Sequence, residues 1–315
     1  MNKELAPIIV FVYARPEHTQ KMFEALKNNT LAKDSEVWIY SDNAKKENVY
    51  EKVIKVREYI RQIEKMNYFK KVHIIEAPEN KGLANSVIEG VGEVIDKYGK
   101  AIVIEDDLVV SKNFLEYMNE ALDFYENDKR IWSISGYNIP IKIPNDYKDD
   151  VYLGYRGCSW GWATWKDRWK TVDWEVKDYN KFKHSIKQRK KLNRGGFDMA
   201  QMLDLQMEGI IDSWAIRWCY EQSKRDMYTI YPVKSLVYNG GLDGSGTHSG
   251  TTDKFSVKTS HEKRNFVENI QFNKEISKEF KNTYKLGLKG RLRGLLVMLN
   301  LKGVVNFARK HRPRN

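Results

Sequence analysis

Short apolar runs alternate with amphipathic segments over the first 110 residues of the chain. The runs lie at 8–13, 37–40, 72–75 and 101–104, and apolar residues recur at helical spacing in 16–26, 47–65 and 83–98. Short apolar runs are typical of strands buried on both faces. Their alternation with helices predicts an α/β fold with a mostly parallel central sheet flanked by helices.

The pattern beyond residue 110 is less regular. It predicts helices over 114–126, 197–207 and 214–224, strands over 131–135, 229–232 and 235–238, an aromatic loop over 155–174, and a glycine-rich loop over 239–252. We therefore expect one α/β domain over 1–255, followed by an extension over 256–315.

Polar side chains follow each of the first four apolar runs within five residues. They are Arg15, Asp42, Asn80 and Asp107. Parallel strands end at the same edge of a sheet, and ligands of such sheets bind beyond that edge. The four side chains should therefore line one crevice.

The last of these positions belongs to a run of three acids, Glu105-Asp106-Asp107. Carboxylates this close disfavour each other's ionisation unless a cation or a basic group compensates. Mg²⁺ or Mn²⁺ prefers oxygen ligands and could bridge such acids to a diphosphate. The alternative is an exposed acidic turn that caps the following helix, since acids favour helix N-termini.

Several chemistries lack their sequence motif. The chain contains no G-x-x-x-x-G-K-[ST], no G-x-S-x-G, no H-E-x-x-H and no cysteine pair at zinc spacing. The first strand is also not followed by the glycine-rich turn of dinucleotide-binding folds. Of the chemistries considered, the one that is left is recognition of a diphosphate by acids and a metal.

Positive charge is concentrated in the second half of the chain. The net charge is +12, but residues 1–150 carry 22 basic and 26 acidic side chains, and the ten basic residues after Glu279 are accompanied by no acid. Such asymmetry predicts an anionic partner for the C-terminal segment. Leucines at helical spacing between 288 and 299 add an amphipathic pattern. Residues 281–315 could therefore bind an anionic membrane surface, or dock on the domain as a terminal helix.

Neither the cysteine content nor the hydrophobic pattern indicates export. Two cysteines, Cys158 and Cys219, do not make a disulfide framework. We find no signal-peptide pattern and no apolar run long enough to span a bilayer. The expected location is the cytoplasm, either free or peripheral on the inner face of the cell membrane.

Seven stretches, in order along the chain, resemble GT-A-fold glycosyltransferases of the family 2 type of bacterial surface-polysaccharide synthesis, and also N-acetylglucosaminyltransferase I. They are 12–16 (VYARP), 40–43 (YSDN), 79–84 (ENKGLA), 102–108 (IVIEDDL), 159–162 (SWGW), 212–217 (DSWAIR) and 244–248 (GSGTH). Each is weak alone, but their shared order is specific. The resemblance implies a GT-A fold with a nucleotide-binding half at 1–110, an acceptor and catalytic half at 111–255, and a basic extension at 256–315.

The resemblance also implies roles for individual residues. Asp107 would ligate the divalent metal, and His248 in the glycine-rich loop would ligate the metal or a phosphate; a surface histidine is the alternative. The nucleotide-sugar would be bound by residues of the first half: Arg15, Asp42, Asn80, Lys81, Gly82, Glu105 and Asp106.

Asp212 is the predicted general base. Inverting transfer needs a carboxylate that deprotonates the acceptor hydroxyl, and the resemblance places such an acid here. The alternative is that Asp212 only caps the following helix. Asp198, Asp204 and Glu208 are the rival acids.

Tryptophans supply the remaining prediction. Trp160 and Trp162 flank Gly161, and we expect them, with Trp214, to line the donor-sugar or acceptor pocket, because indole rings can stack on sugars. Trp165 and Trp169 are expected in the core.

Together with these features, the resemblance implies a metal-dependent, inverting glycosyltransferase. It would use Mn²⁺ or Mg²⁺ to move a sugar from a nucleotide-diphosphate donor, UDP-linked by expectation, to a hydroxyl of a glycan or lipid-linked glycan. A sugar nucleotidyltransferase is the first alternative. Such an enzyme would need a glycine-rich loop after the first strand, and residues 14–17 (ARPE) do not supply one. A basic nucleic-acid-binding protein is the second, but no recognised binding motif supports it, and nucleic acid is not an expected partner.

Overall fold

The computed structural model describes residues 4–243, 252–288 and 290. The chain forms a mixed α/β structure with an eight-stranded sheet in the order β3-β2-β1-β4-β8-β6-β9-β7, and a two-stranded sheet of β10 and β5. The strands are β1 (Ile8–Val12), β2 (Glu36–Ser41), β3 (Lys71–Glu76), β4 (Lys100–Glu105), β5 (Leu108–Val110), β6 (Ile131–Ser135), β7 (Val151–Gly154), β8 (Trp162–Trp165), β9 (Tyr228–Pro232) and β10 (Val237–Asn239). The helices are α1 (Pro16–Lys27), α2 (Tyr50–Lys65), α3 (Leu83–Tyr98), α4 (Phe114–Tyr125), α5 (Lys166–Trp169), α6 (Tyr179–His184), α7 (Ile186–Leu192), α8 (Met199–Met207), α9 (Trp214–Arg225) and α10 (Lys274–Thr283).

The first four strands of the large sheet are parallel, and helices cover both faces. Along β1, Val10 faces the core that α1 and α2 share, whereas Ile9 and Phe11 face the core under α3. This alternation explains why every residue of β1 is buried. The predicted fold class, a mostly parallel sheet flanked by helices, is confirmed.

The other half of the large sheet mixes strand directions. Strand β8 runs antiparallel between β4 and β6, and β6 is parallel to β9. The expectation of a loop throughout 155–174 is therefore wrong, because Trp162–Trp165 forms β8 and Lys166–Trp169 forms α5. The alternation that marks a half-exposed strand is missing in β8, since all four of its residues are buried.

The segment after residue 252 packs against the same core as far as it is described. Ile270, Ile276 and Phe280 are buried in the cluster that also contains β1 and α4 residues. Phe266 packs against Tyr125 in an edge arrangement with ring centroids 5.8 Å apart. The beginning of the predicted extension is thus continuous with the domain in packing, whereas residues 289 and 291–315 lie outside the described part of the chain.

Among the described helices, none is long and apolar enough to cross a membrane.

Candidate functional site

The acid triplet lies where two neighbouring parallel strands end. Glu105 is the last residue of β4, and Asp106 and Asp107 form the turn before β5. The backbone N–H of Tyr13, just after β1, donates to Asp106 Oδ2 at 3.3 Å. Arg15 Nη1 donates to Asp107 Oδ2 at 2.6 Å and lies 3.7 Å from Asp106 Oδ1. The predicted neighbours Arg15, Asp106 and Asp107 therefore meet at one edge.

The acid triplet is buried, and its negative charge exceeds the positive charge beside it. Burial and the charge of Asp107 raise the pKa of Asp106 to about 7, although Arg15 and the Tyr13 N–H act in the opposite direction. The pKa of Glu105 is raised well above its usual value, first by burial and then by Asp107 and Asp106. One guanidinium thus stands against three acids, and a hard divalent cation is the species that would relieve this imbalance.

Two adjacent carboxylates fit a metal that is shared with a substrate. The described residues contain no group of three or more His, Cys, Asp or Glu side chains arranged to hold an ion. Mg²⁺ in phosphate-processing sites is usually bound by one or two carboxylates together with substrate oxygens and water. Asp107, with Asp106 beside it, could supply the protein's share of such a set.

Two glycines, Gly240 and Gly241, pack against Asp107 on the side of the two-stranded sheet. The Gly240 N–H donates to the backbone oxygen of Asp107 at 2.8 Å, just after β10. A Cβ on Gly241 would lie 2.1 Å from Asp107 Oδ2 and 3.0 Å from Arg15 Nη2. Only glycine therefore permits this close approach of backbone to the Arg15–Asp107 pair.

Two residues that lie beside Arg15 at this site were not predicted from the sequence. His18 Nε2 lies 3.1 Å from Asp243 Oδ2, and Asp243 Oδ1 lies 4.0 Å from Arg15 Nη2. His18 stands three residues after Arg15 at the start of α1, so helical spacing could have placed both on one face. No local signal connected Asp243 to them.

Asp42 organises the neighbouring turn. Its Oδ1 accepts from the N–H groups of Asn43 and Lys81, and its Oδ2 accepts from Asn80 Nδ2 and the Gly82 N–H, each at 2.9 Å. Four donors match the acceptor capacity of a carboxylate. Asp42, Asn80, Lys81 and Gly82 thus form one unit, in which Asp42 ties the end of β2 to the turn before α3.

Asp212 lies beside this turn. A Cβ on Gly82 would be 3.8 Å from Asp212 Oδ2, and Arg217 Nη2 is 3.7 Å from Asp212 Oδ1. The side chain is 63% exposed, so its carboxylate is open to a ligand in the crevice. Asp212 is not the helix cap, because Ser213 occupies that position and its side chain accepts from the Ile216 N–H.

The rival acids are engaged elsewhere. Asp198 accepts two hydrogen bonds from Arg156, at 2.8 and 3.1 Å. Asp204 is buried and accepts from both terminal nitrogens of Arg189, at 2.8 and 2.6 Å. Glu208 has a side chain that is 7% exposed and lies 3.5 Å from Lys183. Of these acids, Asp212 is the most open to solvent and the least tightly paired.

The tryptophans differ from the expectation. Trp162 has no exposed surface and packs between Trp214 and Trp169, with ring centroids 5.1 and 5.6 Å away. Trp214 is 3% exposed, so both indoles are core residues without a face for a sugar. Trp160 is half-buried against Tyr137, at 4.6 Å between ring centroids. Trp165 and Trp169 are buried, as predicted.

His248 falls within residues 244–251, outside the described residues, so its predicted role stays a prediction.

The chain matches one family model, and the solved structures to which it is similar include the following two. The model of the GNT-I family matches residues 1–191. Mannosyltransferase PcManGT from Pyrobaculum calidifontis, solved in complex with GDP-Man and Mn²⁺, is 12% identical, with coverage of 53% of this chain and 48% of its own and a TM-score of 0.34. TarS of S. aureus is 10% identical, with coverage of 74% and 36% and a TM-score of 0.38.

The chain thus spans less than half the length of either solved protein. No curated protein matches its sequence. The family match, by contrast, takes in more than half of the chain, including β1 to β4, the acid triplet and the Asp42 turn. The resemblance to N-acetylglucosaminyltransferase I is confirmed: the chain belongs to the GNT-I family of glycosyltransferases.

Proposed function

We propose that this protein is a metal-dependent, inverting glycosyltransferase that moves a sugar from a UDP-linked donor to a hydroxyl of a glycan or lipid-linked glycan. The process would be synthesis of surface polysaccharide or another glycoconjugate, as in transferases of the family 2 type. The observation that carries the proposal is the convergence of Arg15, Asp106 and Asp107 at the ends of β1 and β4.

The donor would lie across the ends of the parallel strands. The turn held by Asp42 would face the nucleotide through Asn80, Lys81 and Gly82, since Asp42 itself already accepts four hydrogen bonds. Arg15 carries a positive charge beside the acids and suits a phosphate oxygen, because a guanidinium matches phosphate geometry. Ligands of open α/β sheets bind in this crevice.

The divalent ion, Mn²⁺ or Mg²⁺, would be held by Asp107 with support from Asp106, and by His248 if that prediction is correct. When bound, such an ion stabilises the negative charge that develops on the leaving diphosphate. The uncompensated acids of the triplet support this assignment.

Asp212 would remove the proton from the acceptor hydroxyl. Its exposure and its position beside Gly82 favour it over Asp198, Asp204 and Glu208. Attack opposite the leaving group would invert the configuration at the sugar carbon.

The acceptor pocket and the membrane contact complete the proposal. The acceptor pocket would include Trp160, which retains some exposure. The basic segment 281–315 would bring the protein to an anionic membrane surface.

A screen of nucleotide-sugars with Mn²⁺, read out as release of nucleoside diphosphate, tests this function. We expect one donor to be turned over and the activity to disappear with a chelator. Release of inorganic pyrophosphate would instead indicate the nucleotidyltransferase. Salt-sensitive DNA binding without nucleotide-sugar binding would indicate the nucleic-acid-binding alternative.

A further inference from the structure

A chain of polar contacts runs from His18 in α1 to the acid triplet. His18 Nε2 lies 3.1 Å from Asp243 Oδ2, Asp243 Oδ1 lies 4.0 Å from Arg15 Nη2, and Arg15 Nη1 donates to Asp107 Oδ2 at 2.6 Å. The side chains of His18, Arg15 and Asp107 are 16%, 16% and 17% exposed. The Arg15–Asp107 pair is therefore screened less than a surface ion pair. The side chain of Asp243 is 48% exposed, so its contacts with His18 and Arg15 are partly open to solvent.

This chain holds Asp107 through one of its two oxygens. Among the described residues, Oδ2 accepts the hydrogen bond from Arg15, while none donates to Oδ1. Gly241 packs against the same Oδ2, which leaves no room on that side for a side chain. A carboxylate fixed through one oxygen directs its other oxygen along a defined line. Outer partners of metal ligands commonly act in this way.

The backbone reinforces the arrangement. The short helix Gly240–Asp243 carries Asp243, and its first N–H donates to the Asp107 backbone oxygen at 2.8 Å. The short helix Gly240–Asp243 thus binds the main chain of Asp107. Through Asp243 it also contacts Arg15, which binds the Asp107 side chain.

We propose that His18 and Asp243 are positioning residues that act through Arg15 to orient Asp107 toward a divalent cation. They touch neither the metal nor the donor. The inference rests on the proposed function, because it assumes that Asp107 is the metal ligand.

The test is a Mn²⁺ titration of the full chain at one fixed concentration of nucleoside diphosphate for every variant, with the same titration without protein as the baseline. It is followed by electron paramagnetic resonance of the free ion. Removal of outer partners of metal ligands typically weakens metal affinity by about 10- to 100-fold. His18 and Asp243 act one step further out, so we expect Asp243→Asn and His18→Gln to weaken binding by about three- to tenfold. Asp243→Glu, which keeps the charge, should restore part of the loss.

Asp226→Asn is the matched control. Asp226 is an exposed aspartate paired with Arg194 at 2.5 Å on another part of the surface, and its positive φ of 60° suits asparagine. The Mn²⁺ affinity of the Asp226→Asn variant should equal that of the unchanged protein. Thermal melts should show similar stability for Asp243→Asn and Asp226→Asn, which separates positioning from folding.

Two results would count against these ideas, in different ways. If the unchanged protein binds Mn²⁺ but Asp243→Asn and His18→Gln bind it equally well, the positioning role is wrong and the proposed function stands. If the unchanged protein does not bind Mn²⁺ and turns over donor in the presence of chelator, the metal assignment and this inference are both wrong.

Discussion

Gly82 and Asp212 are neighbours in the fold, since a Cβ on Gly82 would lie 3.8 Å from Asp212 Oδ2, at van der Waals contact. Gly82 has a φ of 76° and precedes α3, whereas Asp212 precedes α9. This contact brings together the nucleotide-binding and catalytic halves that the sequence predicts, and it makes the glycine itself testable.

Gly82→Ala should lower turnover more than stability explains. A positive φ costs an alanine roughly 1–2 kcal/mol. The added methyl group would lie 3.8 Å from Asp212 Oδ2, in van der Waals contact, and would remove water from that side of the carboxylate. Gly99→Ala is the control, because Gly99 has a φ of 78° with no atom within 4 Å of an added Cβ. We expect similar melting temperatures for the two variants but reduced kcat only for Gly82→Ala. Equal kcat values would contradict the contact's importance.

Asp212→Asn should abolish transfer while donor binding survives. Loss of a general base typically costs about 10²- to 10⁴-fold in rate, and the amide retains the shape of the side chain. Single-turnover kinetics and calorimetric titration with the nucleoside diphosphate measure the two effects separately. Near-normal turnover would remove Asp212 from the mechanism.

Asp42→Asn should weaken donor binding by loosening the turn at Asn80–Gly82. The amide offers one oxygen in place of two, so donors that now reach the carboxylate lose their acceptor, at about 1–3 kcal/mol for each buried group left unsatisfied. We expect a lower melting temperature together with a higher Kd for nucleoside diphosphate in the absence of metal. Unchanged affinity would mean that the turn does not contact the nucleotide.

Gly241→Ala should impair Mn²⁺ binding, because the new Cβ would lie 2.1 Å from Asp107 Oδ2. Gly240→Ala is the neighbouring comparison, with its closest approach at 3.3 Å to the backbone oxygen of Asp107. The titration used for Asp243 should show a larger loss for Gly241→Ala than for Gly240→Ala. The opposite order would place the metal ligand elsewhere.

Trp162→Ala should behave as a core variant. Removing a buried tryptophan usually costs about 3–5 kcal/mol through lost burial and the cavity left behind. Denaturation in urea should show that loss. Trp160→Ala, at the half-buried position beside Tyr137, should cost less stability and raise the KM for donor or acceptor. A stable Trp162→Ala protein with impaired sugar binding would restore Trp162 to the pocket.

The sequence alone determined the parallel half of the fold and the crevice at its edge. Runs such as 8–13 must be buried on both faces, and strands that alternate with helices must be parallel, so the residues after them share one edge. Arg15 and Asp107 could therefore be placed together although 92 positions separate them.

Only the tertiary structure decided which distant side chains contact each other and which side chains are buried in the core. Strand β8 has only four residues, and Thr164 interrupts its apolar residues, so it shows neither the apolar run that marks β1 nor the alternation of a half-exposed strand. The burial of Trp162 and Trp214 depends on helices that pack from elsewhere in the chain. The link of His18 to Asp243, 225 positions apart, arises only because β10 pairs with β5 beside the acid triplet. Long-range pairing of this kind leaves no local pattern, and for that reason the wall around Asp107 became visible only in the fold.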